Sequence, residues 1–325
     1  MKAAFAGVFA AHVADRVRER LRIPCEVVLA DDREILARLG DVDVLVSMAF
    51  TPEMAAAAPR LRLVQVPGAG LDRIDRRALG PDTALANAYG HDTGIAEYVL
   101  GAMLAVSREF CRIDADLRRG RWDSVWAGAP VPLWPELAGK TLAILGYGRI
   151  GQAVARRALA FDMEVLAIRR DPRRPDPHGL AFVGGPEALE EVLGRADYVA
   201  ITLALNADTR GLLDARRLAL MKPTAFLINV ARGEVVDEHA LFQALHDGTI
   251  AGAALDVWYR YPAGAAPTAP GHQPFHTLSN VLMTPHVSGW TEGMMEARAG
   301  VIAENIHRVA RGEPLLNLIR RAPGA

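Results

Sequence analysis

Three apolar runs in the second half of the chain each hand over to a residue that can do chemistry. Leu227-Ile228-Asn229-Val230-Ala231 leads to Arg232 and Gly233, Ala253-Ala254-Leu255 to Asp256, and Leu282-Met283-Thr284-Pro285 to His286. Such runs read as buried strands, and an open α/β sheet binds ligands beyond the carboxyl ends of its strands. A guanidinium there can grip a carboxylate through two parallel hydrogen bonds, although a lone arginine is ordinarily a surface salt bridge. A histidine can relay a proton near neutral pH, although a single histidine is ordinarily a satisfied structural one. For Asp256 the commonest use is an N-cap or an Asx turn.

A different spacing, Gly146-Tyr147-Gly148-Arg149-Ile150-Gly151, lies upstream. The apolar residues 141–145 precede it, and Ala153, Val154, Ala155, Ala158, Leu159 and Phe161 follow at helical spacing. The glycines therefore sit on a strand-to-helix turn, where backbone N–H groups and a helix N-terminus receive a dinucleotide pyrophosphate. Given a nicotinamide cofactor, Asp256 gains a second use: accepting from the carboxamide or holding a neighbouring ring nitrogen. About eighteen residues beyond the last glycine an NAD protein places an acidic residue for the ribose hydroxyls. Here Arg169 and Arg170 occupy that place, followed by Asp171. Two guanidiniums suit a 2′-phosphate, so NADP is favoured over NAD. The alternative leaves both arginines in solvent and brings Asp171 to the ribose.

The scaffold for these groups follows from the apolar pattern. Strands are predicted at 3–9, 26–29, 42–47, 63–66 and 83–86, with helices at 11–21, 33–39, 52–58 and 72–79, then a longer helix at 95–108. A second series predicts strands at 141–145, 164–168, 181–183, 198–202, 225–229, 252–255 and 281–284. Alternation at this rhythm implies parallel sheets with helices on their faces. The segment 120–135, with Trp122, Trp126 and Trp134, reads as irregular and packed on something, another subunit being one option. Residues 169–179 and 262–274 read as surface loops. The final helix, 292–311, has no strand predicted after it and returns to the first domain.

At 325 residues the chain exceeds one typical core, so two domains are expected. Its 51% hydrophobic and 23% charged residues suit a globular enzyme, and a net charge of −1 gives no field for nucleic acid or anionic membrane. Cys25 and Cys111 match no metal spacing and no disulfide framework, so neither metal nor disulfide is expected. The apolar start 1–10 superficially suggests a signal peptide, but His12, Asp15, Arg16 and Arg18 follow at once. A first strand running into a helix, in a cytoplasmic protein, is the expectation.

Taken in order, the glycine turn, Asn229-Val230-Ala231-Arg232-Gly233, Ala254-Leu255-Asp256-Val257 and Thr284-Pro285-His286 resemble the D-isomer-specific 2-hydroxyacid dehydrogenase family. The resemblance extends to 66–75, to Ala96-Glu97, to Gly120-Arg121-Trp122 and to 208–213. It implies a Rossmann-type doubly wound parallel-sheet domain, 93–287, inserted into a smaller flavodoxin-like α/β substrate domain made of 1–92 and 288–325. It also implies a homodimer formed through the cofactor domains. Arg232 would bind the substrate carboxylate and polarise its 2-oxo group, while His286 would exchange a proton with that oxygen. Backbone N–H groups at Ala69 and Gly70 would complete the carboxylate cradle, with Phe50 and His91 near the substrate. Gly146, Gly148, Arg149, Ile150, Gly151, Arg169, Arg170, Thr209, Val230, Asp256 and Gly289 would contact the cofactor.

One departure stands out. The family's glutamate, five residues after the aspartate, partners the catalytic histidine; here that place holds Tyr261. Losing a carboxylate should lower the histidine pKa, because a nearby anion favours imidazolium. Tyr261 is expected to orient the ring in its stead. The loop before His286 is also longer than the family pattern. The expected activity is NADPH-dependent reduction of a small 2-oxo acid of the glyoxylate or hydroxypyruvate kind to its D-2-hydroxy acid. Two alternatives stand beside it: a formate- or phosphite-type anion dehydrogenase, and a non-catalytic NAD(P)-sensing protein of the corepressor kind.

Overall fold

The structure is a computed structural model that describes residues 1–31, 34–262, 264 and 266–320. In chain order the first elements are β1 (Lys2–Ala6), α1 (Gly7–Arg20), β2 (Glu26–Ala30), β3 (Val44–Ser47), α2 (Pro52–Ala57), β4 (Leu63–Gln65) and β5 (Ala84–Ala86). Next come α3 (Asp92–Ser107), α4 (Phe110–Arg118), β6 (Thr141–Leu145), α5 (Arg149–Leu159), β7 (Glu164–Ile168), β8 (Phe182–Gly184), α6 (Leu189–Arg195) and β9 (Tyr198–Ile201). The chain closes with α7 (Ala215–Leu218), β10 (Phe226–Asn229), α8 (Glu238–His246), β11 (Gly252–Leu255), β12 (Val281–Met283), α9 (Glu292–Arg311) and β13 (Leu318–Arg320). Two compact units result: Met1–His91 with Trp290–Ala325, and Asp92–Gly289.

The first unit holds a six-stranded sheet ordered β2-β1-β3-β4-β5-β13, parallel except for β13. Its first five strands follow the flavodoxin-like order, with the switch point between β1 and β3. Both faces are covered, as parallel strands require. Phe5, Val44, Val46 and Leu63 pack with Val13 and Val17 of α1 and Ile302 and Ile306 of α9. Leu45, Val64 and Leu85 pack on the other side with Ile35, Leu39 and Phe50. Thr291 caps α9 by accepting from the Met294 N–H at 3.2 Å, and Gly312 at φ +70° ends it.

The second unit is an all-parallel seven-stranded sheet ordered β8-β7-β6-β9-β10-β11-β12. Its order reverses between β6 and β9, the place where a doubly wound sheet opens a crevice at its strand ends. Val165, Ala167 and Ile144 face α3 and α5, while Leu145, Val199 and Leu227 face α6 and α8. Among the described residues no helix is long and apolar enough to cross a membrane.

Several elements differ from the sequence pattern. The first strand stops at Ala6 because Gly7, at φ +81°, turns the chain, and Val8 and Phe9 join α1. Residues 72–79 form turns instead of a helix. Asp75 accepts from the Arg77 N–H at 2.9 Å, an Asx turn, and backbone bonds tie Arg73 and Asp75 to Phe50. The helix predicted over 33–39 is a single 3₁₀ turn, Ile35–Arg38, with Arg33 outside the described residues. Helix α4, whose signal is Phe110, Ile113 and Leu117 at helical spacing, is set off from α3 by Glu109 at φ 52°. A strand does follow the last helix: β13 pairs antiparallel with β5.

Candidate active site

The loop leaving β6 shows what each glycine is for. At Gly146, φ is +109° and a Cβ would lie 2.8 Å from the Thr202 carbonyl carbon; at Gly151 it would lie 2.5 Å from the Gly146 oxygen. Those two glycines are required by the fold itself. At Gly148 nothing lies within 4 Å, so its bare backbone faces open space. Gly148 is also the N-cap of α5 and gives the helix no side-chain acceptor. An uncapped helix N-terminus beside bare backbone fits a pyrophosphate. Arg149 lies 3.8 Å from the Asp92 carboxylate, and Ile150 is half-buried. Thr209 donates its hydroxyl to the Ala204 carbonyl at 2.8 Å, closing a turn, and Val230 is buried in the core.

The two arginines beyond β7 have separate fates. Arg169 donates to the carbonyls of Pro172 (3.3 Å), Pro175 (3.4 Å) and Arg174, and its guanidinium lies 5.5 Å from the Tyr147 ring centroid. This corrects the expectation that both guanidiniums face a ligand: Arg169 is engaged inside its own loop. Arg170 is exposed, and no hydrogen bond or ion pair engages it among the described residues. Asp171 is held by the Arg173 N–H at 3.3 Å and its Nε at 3.1 Å.

The remaining residues gather at the exits of β10, β11 and β12. Asn229 accepts from the Ala231 N–H at 3.0 Å and donates to the Arg232 carbonyl at 2.9 Å, fixing the backbone that carries the guanidinium. Arg232 itself is half-buried and extended, with Nη1 donating to the Ala231 carbonyl at 2.7 Å. Gly233 must follow it, because a Cβ there would lie 2.6 Å from the Trp258 backbone.

Asp256 is 0% exposed, and both its oxygens are taken. One accepts from the Thr284 hydroxyl (2.6 Å) and the Val287 N–H (2.8 Å), the other from the Ser288 N–H (2.8 Å). Tyr98 of α3 hydrogen-bonds Thr284 Oγ1 at 2.6 Å, which extends the chain of bonds. Burial, opposed by that bond, pushes the Tyr98 phenol up to about 12. Asp256 therefore clamps the turn on both sides of His286, which sits in the left-handed region at φ 59°. Such strain persists only where surrounding bonds hold it. Fully buried with both oxygens engaged, Asp256 acts on the backbone of this turn. Gly289 beyond it is half-buried.

Tyr261 Oη lies 2.8 Å from His286 Nδ1 and accepts from the Trp258 N–H at 3.3 Å. A phenol can donate to the neutral ring or accept from the imidazolium, whereas a carboxylate can only accept. Although Tyr261 is 49% exposed, partial desolvation of its hydroxyl keeps the phenol above its ordinary value, so it stays protonated. His286 is exposed at the surface of its unit, yet its pKa is lowered, first by partial desolvation of the ring and then by the Arg232 guanidinium, with Asp256 acting in the opposite sense.

In the first unit, Phe50 is 1% exposed and sits in the core against Leu45 and Ile74. It cannot wall a substrate pocket, which corrects the sequence expectation. The Ala69 carbonyl accepts from Asn87 Nδ2 at 3.1 Å, and Ala69 and Gly70 are half-buried. His91 is buried with Nδ1 3.0 Å from Arg298 Nη2, and that guanidinium lies 5.1 Å from the Phe9 ring centroid. Tyr98, Tyr147 and Asp176 shape the site without standing out in the sequence, and Asn229 and Thr284 stand in the motifs without a role assigned to them. For Tyr98, Tyr147, Asn229 and Thr284 the signal is a polar group set within an apolar or glycine-rich stretch, whereas Asp176 lies in the proline-rich loop 169–180.

Residues 100–288, more than half of the chain, match the family model described as "D-isomer specific 2-hydroxyacid dehydrogenase, NAD binding domain". The chain belongs to the D-isomer-specific 2-hydroxyacid dehydrogenase family. As a member it is a nicotinamide-dependent oxidoreductase with two parallel-sheet α/β units. A glyoxylate reductase of Pyrococcus furiosus is 38% identical over 309 residues, covering 88% of this chain and 86% of that protein. Among solved structures, an NADPH-dependent glyoxylate/hydroxypyruvate reductase from Sinorhizobium meliloti, in complex with NADP and malonate, superposes with a TM-score of 0.82. It is 30% identical and covers 99% of this chain and 97% of its own. A formate dehydrogenase from Granulicella gives a TM-score of 0.78 at 27% identity, covering 92% of this chain and 81% of its own.

Proposed function

We propose that this dehydrogenase reduces a small 2-oxo acid of the glyoxylate or hydroxypyruvate kind to its D-2-hydroxy acid with NADPH. The observation that carries the reading is His286, held by Tyr261 on one side of its turn and by Asp256 beneath it, within electrostatic reach of Arg232. Bound nicotinamide supplies the hydride. Arg232 holds the substrate carboxylate and draws electron density from the carbonyl. His286 gives the carbonyl oxygen a proton as negative charge develops there, and takes it back in the oxidation. Tyr261 keeps the ring oriented in both protonation states.

The Asp92–Gly289 unit is the cofactor unit in this reading, the pyrophosphate resting on Gly148 and the start of α5. Phe110, Leu117, Trp122, Val125 and Trp126 leave that unit an exposed apolar surface, with Trp126 at 93%. A second copy covering it would give the homodimer, measurable by light scattering. Free Cys25 and Cys111 suit a reducing cytoplasm.

One observation favours a second reading. Tyr261 stands where a carboxylate partner is expected, and a formate-type oxidation needs no proton relay. The test is a panel: NADPH oxidation with glyoxylate, hydroxypyruvate and larger 2-oxo acids, beside NADP or NAD reduction with formate and phosphite. Turnover of the 2-oxo acids supports the reductase. Turnover of formate or phosphite alone overturns it, and tight NADPH binding with no turnover at all leaves a nucleotide sensor.

A further inference from the structure

The loop 169–180 is rich in proline and arginine, and the structure shows it folded on itself. Tyr147 lies between the first two glycines of the β6–α5 turn and donates its hydroxyl to Asp176 at 2.6 Å. Asp176 accepts in addition from the backbone N–H groups of His178 (3.0 Å) and Leu180. Arg169 caps the carbonyls of the same loop from within and lies over the Tyr147 ring.

We propose that the Tyr147–Asp176 hydrogen bond is a latch that holds this loop ready for a 2′-phosphate, with Arg170 as the guanidinium offered to it and Arg169 as its internal brace. The proposal rests on the NADPH reading above and deepens it. Three observations support it. Both aspartates of the loop are drawn to other groups, Asp171 Oδ1 to Arg173 with Oδ2 4.0 Å from the Arg174 Nε, and Asp176 to Tyr147 and two N–H groups of the loop. Arg170 alone of the pair is exposed and unengaged among the described residues. Pro172, Pro175 and Pro177 already restrict the chain, so one bond to a buried tyrosine suffices to fix its path. Because that tyrosine belongs to the glycine turn, the latch ties the pyrophosphate end of the site to the 2′-phosphate end. A pre-ordered loop binds more tightly because ordering it costs less at the moment of binding.

Calorimetric titration of the full chain with 2′,5′-ADP and with 5′-AMP separates these roles. The wild type should favour 2′,5′-ADP, and Arg170→Gln should abolish the preference. Tyr147→Phe should weaken 2′,5′-ADP about tenfold, the worth of a hydrogen bond to a charged group, with 5′-AMP unchanged. Asp176→Asn should do the same, and the double variant should add little further loss. Equal affinity of the wild type for both ligands overturns the NADPH reading beneath. A wild-type preference that survives Tyr147→Phe and Asp176→Asn overturns the latch alone. Equal loss of both ligands in Tyr147→Phe also overturns it, since Tyr147 would then act only through the glycine turn. A preference that survives Arg170→Gln removes Arg170 from its role.

Discussion

The two sheets share an architecture and differ in what leaves their strand ends. In the first unit, β1 exits through Gly7 straight into α1, β3 exits to the buried Phe50, and polar groups near β4 turn back into the fold. Gln65, for example, donates to the Val66 carbonyl at 3.1 Å and accepts from Asn305 at 2.6 Å. In the second unit, the exits of β6, β10, β11 and β12 deliver Gly148, Arg232, Asp256 and His286. A parallel sheet offers a place for chemistry but does not supply it. The supply comes from a supporting layer: Asn229 under Arg232, Asp256 and Thr284 under His286, and Tyr261 beside it.

That contrast is broken most severely at the reacting groups. His286→Gln removes the proposed proton donor and should lower kcat/KM for 2-oxo acid reduction by about 10²–10⁴-fold. Arg232→Lys keeps the charge but loses the paired donors, and should raise KM for the 2-oxo acid while also lowering kcat. Near-normal kinetics in both variants would mean that Arg232 and His286 do not carry the chemistry at the exits of the second sheet.

The glycine turn gives the next largest effect and divides fold from ligand. Gly151→Ala forces a Cβ to 2.5 Å from the Gly146 oxygen and should cost about 1–3 kcal/mol of stability. Gly148→Ala meets nothing within 4 Å, so the melting temperature should hardly move. Affinity for the nicotinamide cofactor should nonetheless fall about tenfold or more if the proposed pyrophosphate seat is right, because the methyl would occupy its approach. Thermal melts with and without cofactor read both effects, and a Gly148→Ala protein that melts early but binds normally would reverse the assignment.

Much of this was legible before the fold was known, for a physical reason. Strands 141–145, 164–168 and 252–255 and helix 292–311 agree with β6, β7, β11 and α9, because buried parallel strands and a capped amphipathic helix write themselves in local apolar pattern. The catalytic candidates were visible because each follows such a strand. What stayed hidden depends on long-range pairing. Residues 72–79 have helix-like spacing but are tied to Phe50 by backbone bonds, and β13 exists only because β5 presents an edge. Arg169 and Arg170 are adjacent and chemically identical, and only the fold of 169–180 tells them apart.

Asp256 sharpens the contrast at a smaller scale. Asp256→Asn keeps the shape but replaces one acceptor oxygen with an NH₂ that faces a donor already in place. Leaving one buried N–H unpaired costs about 1–3 kcal/mol. Asp256 also favours the imidazolium, so the variant should lower the His286 pKa further and lose reductive activity at lower pH than the wild type. Unchanged stability and an unchanged pH profile would remove the clamp from the supporting layer.

The smallest effect is the most specific, and concerns Tyr261. In the proposed reaction reduction uses the imidazolium, and the His286 pKa lies below its ordinary value, so reductive kcat/KM should decline as pH rises through a point on the acid side of the usual histidine range. Oxidation uses the neutral ring and should rise through the same point. Tyr261→Glu places an anion where the phenol hydrogen-bonds Nδ1, which favours the charged ring and should move both limbs to higher pH. Tyr261→Phe keeps the ring's bulk without the hydroxyl, so kcat should drop while the limbs stay on the acid side. Paired pH–rate profiles of the three proteins distinguish orientation from charge. If the Tyr261→Glu limbs overlie those of the wild type, the contact at Nδ1 does not govern the ionisation of His286, and desolvation together with Arg232 and Asp256 sets it.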